Sequence, residues 1–201
     1  MKTIFKTFAF AFFAVISVSN GSIQAQNSES VNKTTISLET DPSTFVFGGY
    51  AAHIRIKPAN SKHLVVGAGA YAMDYPDFLV NMNSDNKDKG WKVRINSAFG
   101  FFGEYYFSEA NSKWFTGLQA GVQNYKITNE NILNKESKYS NLLLMPSIGY
   151  NWQPFHFPFY IKPWLGIGYT TKISGENSIN TSVYKISPIT PFVTVHVGYT
   201  F

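Results

Sequence analysis

The sequence contains no cysteine. Disulfides, thiol nucleophiles, cysteine metal sites and lipid attachment through an N-terminal cysteine are therefore excluded. Charged residues are also scarce, at 14% of 201 positions. The formal net charge of +5 is lowered by two when Lys2 and Lys6 are set aside as part of a leader. An excess of positive charge that is this small and this dispersed does not indicate nucleic-acid binding.

Long apolar runs are missing beyond the first residues. Lys2 and Lys6 precede an apolar stretch at 7–18, and small and polar residues ending in Ala25 follow it. This order is typical of a secretory signal peptide, and the apolar stretch is shorter than the roughly 20 residues that span a bilayer. We predict a signal peptide at 1–25 and one exported domain at 26–201. If that domain enters a membrane, it must do so as strands.

Helical periodicity is missing too, and alternation of apolar and polar residues dominates. It predicts strands near 45–57, 64–73, 91–107, 114–127, 141–152, 159–172 and 193–201, with a weaker first strand at 34–40. In the third of these, one face is predicted to carry Trp91, Val93, Ile95, Phe99, Phe101, Tyr105 and Phe107, and the other Lys92, Arg94, Asn96, Ala98, Gly100, Glu104 and Tyr106.

The connections alternate strictly between short and long. PANSKH, SEANSK and QPFHFP are short, whereas DYPDFLVNMNSDNKDKG, TNENILNKESK and SGENSINTSVYKISPIT are long and polar. Outer-membrane barrels combine short turns at one end with longer loops at the other. The predicted fold is therefore all-β, an eight-stranded antiparallel up-and-down transmembrane β-barrel.

The composition of the two faces indicates which of them meets solvent. Aromatic residues cluster near strand ends on the apolar face, as in an interfacial girdle. The opposite face is rich in glycine and is predicted to carry Arg55, Lys57, Lys92, Arg94, Glu104 and Lys162. Too few charges remain to solubilise the apolar face, so we expect it to meet lipid. Two prolines on that face, Pro146 and Pro163, have no explanation in the pattern beyond a local bulge or a missing ladder bond.

The last residues carry a more specific signal. Val197, Tyr199 and Phe201 alternate up to a terminal aromatic. In this the chain resembles the small outer-membrane barrels, the family of the OmpA membrane domain and OmpX. The resemblance implies an assembly signal at these residues that the barrel-assembly machinery reads. It also implies periplasmic chaperones and outer-membrane lipid or lipopolysaccharide as partners, and localisation in the outer membrane of a Gram-negative bacterium. A mature chain that begins with Gln26 directly after the cleavage site resembles exported proteins of Bacteroidetes-type bacteria.

Few residues suggest chemistry. Arg55, Glu104 and Lys162 lie at similar depth near the short-turn end, which predicts a lumen network of salt bridges rather than a catalytic acid. None of His53, His63, His156 and His196 has a serine and an acid at matching spacing, and no two lie at metal-ligand spacing. Residues 83–90 resemble a calcium loop, but Lys87 stands where oxygen is required. We therefore expect no enzyme activity, no cofactor, and no catalytic or metal residues.

The function classes left open are three. The main hypothesis is an integral outer-membrane barrel with a structural or surface-interaction role, adhesin-like, through its long loops. The alternatives are a small channel or porin, and a lipid A-modifying enzyme. Phe78, Leu79, Val80 and Met82 stand in an otherwise polar loop, and they either cap the barrel mouth or form a contact surface. No surface ligand can be named from the sequence.

Overall fold

The computed structural model describes residues 33–201, and the predicted signal peptide and its boundary lie outside them. The described strands are β1 (Thr35–Thr40), β2 (Tyr50–Lys57), β3 (Leu64–Asp74), β4 (Trp91–Tyr106), β5 (Lys113–Asn129), β6 (Ile132–Asn151), β7 (Phe159–Gly175), β8 (Ser178–Ile179), β9 (Ser182–Val183) and β10 (Ile189–Thr200). All but the two short ones, β8 and β9, form a closed antiparallel barrel in the order β1-β10-β7-β6-β5-β4-β3-β2. The predicted eight-stranded barrel is confirmed.

Closure joins the first strand to the last. β1 pairs with β10, with Leu38 opposite Tyr199, and with β2 on its other side. Apart from this closing pair, each barrel strand pairs with the next barrel strand along the chain. Closing the sheet removes the free edges that would otherwise pair with other chains. The short connections at 58–63, 107–112 and 152–158 define a short-turn end, and the other connections define a long-loop end.

The long-loop end contains small elements of its own. They are α1 (Pro42–Val46), α2 (Asp77–Val80), a 3-10 turn at Ser84–Asn86, and the two-stranded sheet of β8 and β9. None of the helices among residues 33–201 is long and apolar enough to cross a membrane.

Two predicted boundaries were wrong. A strand was expected from Phe45, but Phe45 lies in α1, because the Asp41 side chain accepts a hydrogen bond from the Ser43 N–H and Pro42 occupies the first helical turn. The polar segment 128–138 was expected to be a loop. Instead, β5 and β6 continue as a hairpin with a two-residue connection, and the register keeps Thr128 opposite Glu136. Because ladder hydrogen bonds join backbone groups, polar residues also form strands where a partner strand continues alongside.

A β-bulge at Asn96 reverses the predicted faces of half of β4. Ile95 pairs with Tyr125 and Ser97 with Asn124, so β4 contains one residue more than β5 at this point. A bulge of this kind leaves a residue unpaired and changes which positions share a face. Phe101 is 76% exposed on the outer wall, as predicted, but Ile95 is fully buried inside, although a strict period of two places them on one face.

Five further face assignments change for the same reason, one of them that of Asn96 itself, which was predicted in the lumen but is exposed on the outside. Trp91 and Val93 were predicted on the outer apolar face but are buried inside the barrel. Lys92 and Arg94 were predicted in the lumen, but their side chains are 53% and 32% exposed and make ion pairs on the outside. Below the bulge the wall is apolar outside and polar inside. Above it the arrangement is that of a water-soluble barrel.

The two prolines left unexplained by the pattern lie beside interruptions in one ladder. The pairing of β6 with β7 skips from Leu144 opposite Tyr169 to Ser147 opposite Gly166, and Pro146 lies in this interval. Pro163 lies in a second interval, between Trp164 and the isolated bridge of Ile161 with Trp152. Since proline has no N–H to donate, each interruption occurs where a ladder bond could not form.

Candidate functional site

Four charged side chains meet inside the barrel near its short-turn end. Glu39 on β1, Arg55 on β2, Glu104 on β4 and Lys162 on β7 are all buried. Lys162 Nζ lies 2.8 Å from a carboxylate oxygen of Glu39 and 2.8 Å from one of Glu104. Arg55 pairs with Glu104 and reaches Glu39 at 3.5 Å through Nε. Two cations and two carboxylates therefore balance within one layer, here called the charge layer.

Two tyrosine hydroxyls add further hydrogen bonds to the charge layer. Tyr106 accepts a bond from Arg55 Nη2 at 2.6 Å and donates to Glu104 at 3.0 Å. Tyr160 accepts from Arg55 Nη1 at 3.1 Å and donates to Glu39 at 3.0 Å. Buried charges are tolerated where partners satisfy them in this way. The layer closes the lumen with side chains that constrain one another.

Aromatic rings lie against the charge layer, and glycines opposite them provide the space. Lys162 Nζ stands 5.9 Å from the Phe102 ring centre and 5.4 Å from that of Phe115, within the range of cation–π attraction. At Gly198, a Cβ atom would lie 2.3 Å from the Tyr160 ring. No side chain fits there, so glycine at this position is a condition for Tyr160 to reach the layer.

Two histidines stack beside the charge layer, with His53 opposite Glu39 and His196 opposite Lys162 on neighbouring strands. The rings of His53 and His196 lie 4.9 Å apart at an angle of 23°. His196 Nδ1 bonds to Glu39, which joins the pair to the layer. Next to them is a cavity of about 30 Å³, lined in part by Trp164 and Gln119. That volume has room for little more than water.

Glu39, His53 and His196 bring three possible metal-ligand atoms within 4.8 Å of one another. Near-parallel stacking points the ring lone pairs side by side rather than at one centre. Glu39 is also already held by Lys162, Tyr160 and His196. The cluster therefore fits a hydrogen-bonded packing layer better than chelation. No pattern could reveal it, because its members come from β1, β2 and β10.

The long-loop end is closed by a second, apolar cluster. Val80 and Ile179 from the loops pack with Ile95 and Ile127 from the strands, and the Tyr125 and Tyr139 rings stack there at 4.8 Å. The loops at 75–90 and 176–188, here called the loop cap, supply its upper side.

Asn86 fastens the two loops of the cap together. Its amide donates to the Lys185 carbonyl at 2.7 Å and its oxygen accepts from the Lys185 N–H at 2.8 Å. The Tyr184 ring packs edge-on against Trp91. Burial raises the pKa of Tyr184 to about 12, so its hydroxyl stays neutral at any physiological pH. The loop cap is a folded structure, not a set of free loops.

The apolar residues of the predicted capping loop divide between the two roles left open. Leu79 and Val80 are buried in the cap, whereas Phe78 and Met82 are exposed. Of the predicted lumen residues, Arg55, Glu104 and Lys162 do meet. Glu39 was missed because the weak alternation of the first strand did not identify its inner face.

Of the three predicted assembly-signal residues, Val197 and Tyr199 belong to β10 and Phe201 directly follows it. Tyr199 and Phe201 contact each other edge to face at 5.0 Å, and the Phe201 N–H donates to the Ile36 carbonyl at 2.8 Å. Val197 pairs with Ile161 of β7. The three residues thus stand near the short-turn end of the barrel, and their role in assembly stays a prediction.

No family model matches the chain, and no curated protein matches it either. Among solved structures, a major outer membrane protein from Thermus thermophilus matches 84% of this chain and 100% of its own, at 13% identity and a TM-score of 0.50. The N-terminal β-barrel domain of Pseudomonas aeruginosa OprF matches 85% and 98%, at 12% identity and 0.40. Neisserial surface protein A matches 84% and 95%, at 12% identity and 0.38. The closed eight-stranded ring, together with the likeness to the Thermus protein, gives the chain the fold of the small outer-membrane β-barrels.

Proposed function

We propose that the chain is an integral outer-membrane barrel of a Gram-negative bacterium with a structural and surface-interaction role. The observation that carries the proposal is the outer wall below the bulge, where large apolar side chains are exposed all round while charges are buried inside. Phe101, Val193 and Leu118 are 76%, 65% and 53% exposed. A contiguous exposed apolar wall of this extent needs hydrocarbon around it.

The surface role rests on the loop cap. Asn86 and the apolar cluster hold its loops in one arrangement, which favours recognition because little ordering entropy is lost on binding. Exposed apolar side chains stand at the long-loop end, at Phe78, Met82, Leu133 and Val183. Such residues outside the lipid-facing wall are typical of contact surfaces. We infer that a cell-surface or host partner binds there.

The channel and the enzyme are less well supported. The charge layer and the apolar cluster obstruct the lumen at two heights, so a conducting path would require both to rearrange. The histidines that could act as bases, His53 and His196, lie inside the barrel beside the charge layer, away from the outer wall where a lipid substrate would lie. Single-channel recordings of reconstituted protein separate a channel from a sealed barrel.

Because the chain has no cysteine, single cysteines can report which side of the membrane each end occupies. Val183→Cys lies in the loop cap and Ala59→Cys in a short turn, and both positions are exposed. In intact cells, a membrane-impermeant maleimide should label Val183→Cys and leave Ala59→Cys unlabelled until the outer membrane is permeabilised. Labelling in the reverse order, or recovery of the protein from the soluble periplasmic fraction, would overturn the proposal.

We also propose that the assembly machinery reads Phe201. Phe201→Gly removes one exposed aromatic from the lipid-side wall, a loss of roughly 1.5–3 kcal/mol that a closed barrel can survive. The amount inserted in cells should therefore fall far more than the yield of refolding from denatured protein into detergent micelles. Phe201→Tyr keeps the aromatic and is the control, with near-normal insertion expected. Equal losses in both settings would show that Phe201 acts through packing alone.

A further inference from the structure

Three cations face one another across neighbouring strands on the outer wall above the bulge. Arg94 of β4 stands opposite Lys126 of β5, and Lys126 stands opposite Lys138 of β6. Their side chains are 32%, 35% and 65% exposed. Neighbouring strands are about 4.8 Å apart, so these three positions, here called the basic row, form a compact strip of like charge.

The basic row is only partly neutralised. Arg94 pairs with Asp74 at 2.7 Å, but the two lysines share one carboxylate. Glu136 lies 3.0 Å from Lys138 and 3.7 Å from Lys126. Like charges directly opposite each other destabilise a sheet, and three cations with two carboxylates leave an excess of positive charge. An anion bound at the row would relieve this repulsion.

The residues in the two rows below the basic row show at which height of the outer wall it lies. The register places Ser97, Asn124 and Ser140 side by side, and beneath them Phe99, Val122 and Leu142. The upper of these rows is polar: Asn124 donates to Ser97 at 3.1 Å and accepts from Ser140 at 2.7 Å. The lower is apolar and begins the exposed wall. From the long-loop end towards the short-turn end, the outer surface therefore carries first cations, then amides and hydroxyls, and then apolar side chains.

A shallow groove runs along the polar row. It is lined by side chains that carry hydrogen-bonding groups and by Lys138 at its upper edge: Asn96, Asn124, Lys138, Ser140 and Ser174 among them. Asn96 is the extra residue of the bulge, so the same local irregularity that turns Arg94 outward also opens this groove. Hydroxyl and amide groups below a cationic edge suit a ligand that carries both phosphate and hydroxyl groups.

We propose that the basic row and the groove bind the phosphorylated headgroup of an anionic lipid in the outer leaflet. Lys126 and Lys138 take the phosphate, and Asn124 and Ser140 bond to the adjoining hydroxyls. A lipid is the occupant because the groove is continuous with the exposed apolar wall, which receives the acyl chains. The inference rests on the proposed membrane location and adds to it a defined lipid site on one side of the barrel.

The test uses the full-length protein in phosphatidylcholine nanodiscs doped with lipid A, carrying either two phosphates or none. Native mass spectrometry measures the lipid retained. Wild-type protein should retain the phosphorylated form, and Lys126→Gln with Lys138→Gln should weaken retention about tenfold or more, since each cation attracts anionic lipid. Lys87→Gln with Lys89→Gln makes the same charge change in the loop cap and should retain lipid as wild type does.

Three results would overturn the inference while leaving the membrane location intact. They are equal retention of phosphorylated and dephosphorylated lipid by wild type, equal loss in both lysine pairs, and full displacement of the lipid by millimolar inorganic phosphate, which would indicate a site for free anion. Failure of wild-type protein to insert into nanodiscs, with loss of the cysteine-labelling pattern, would instead count against the proposed function. The two failures are therefore distinguishable.

Discussion

Ile95→Asp should prevent the long-loop end of the barrel from folding. Ile95 is fully buried among Val80, Ile127 and Tyr125, and the described members of that cluster include no cation to pair with a carboxylate. An isolated buried charge costs several kcal/mol, which is comparable with the roughly 5–15 kcal/mol that stabilises a typical domain. Limited proteolysis should cut the loops at 75–90 and 176–188 rapidly in the variant and slowly in the wild type.

The neighbouring position supplies a matched control. Asn96→Asp introduces the same carboxylate one residue along, on the exposed outer side of the bulge, and should leave protease resistance unchanged. The pair of variants tests the reversal of faces directly. If Asn96→Asp lowered protease resistance as much as Ile95→Asp does, Asn96 would not lie on the exposed outer side, and the position that the bulge gives it would be wrong.

Glu104→Ala should be the most damaging single change in the charge layer. It leaves Glu39 as the one carboxylate of the layer for both Arg55 and Lys162, so one buried cation is uncompensated. Breaking a buried pair by removing one partner costs roughly 3–5 kcal/mol. Urea unfolding in detergent micelles, followed by tryptophan fluorescence, should show the loss as a lowered midpoint.

A second substitution separates charge imbalance from lost packing. Glu104→Ala combined with Lys162→Met leaves Arg55 and Glu39, one charge of each sign, and should be more stable than Glu104→Ala alone. This is the expected sign of coupling between contacting residues in a double-mutant cycle. If Glu104→Ala unfolded at the wild-type midpoint, the layer would be hydrated, and a water-filled path through the lumen would become the better interpretation.

Much of the fold could be predicted from alternation and connection lengths, because both follow directly from the two faces of a strand and from the two ends of a barrel. The number of strands, their antiparallel order and the outer position of Phe99, Phe101 and Tyr105 all came from these patterns. The faces of Trp91 and Ile95 could not, because a bulge is an insertion of one residue and a fixed period cannot detect it. The hairpin of β5 and β6 was missed because the polar segment 128–138 was interpreted as a loop.

The sequence predicted only those residues of the charge layer whose distance from a short turn could be counted along a recognisable strand. Arg55, Glu104 and Lys162 lie at similar distances from short turns, so strand counting brought them together. Glu39 lies on the strand with the weakest alternation, and its contact with His196 spans 157 positions along the chain. The basic row depends on exact cross-strand register, which is set by the bulge and by the β5–β6 connection. Neither is encoded in any local motif.

In the proposed membrane location, the bulge also fixes how thick a bilayer the protein can accept. From Ser97 to Tyr106, β4 has about the 9–11 residues that a tilted strand needs to cross the hydrocarbon core. A bilayer with longer acyl chains would cover the row of Asn124 and Ser140 and then the charges of Lys126 and Lys138. Tilting accommodates a spanning region that is longer than the bilayer is thick, and it gives no relief to one that is shorter. Here the lipid itself must thin around the barrel, so the protein should partition towards thinner regions of a mixed membrane.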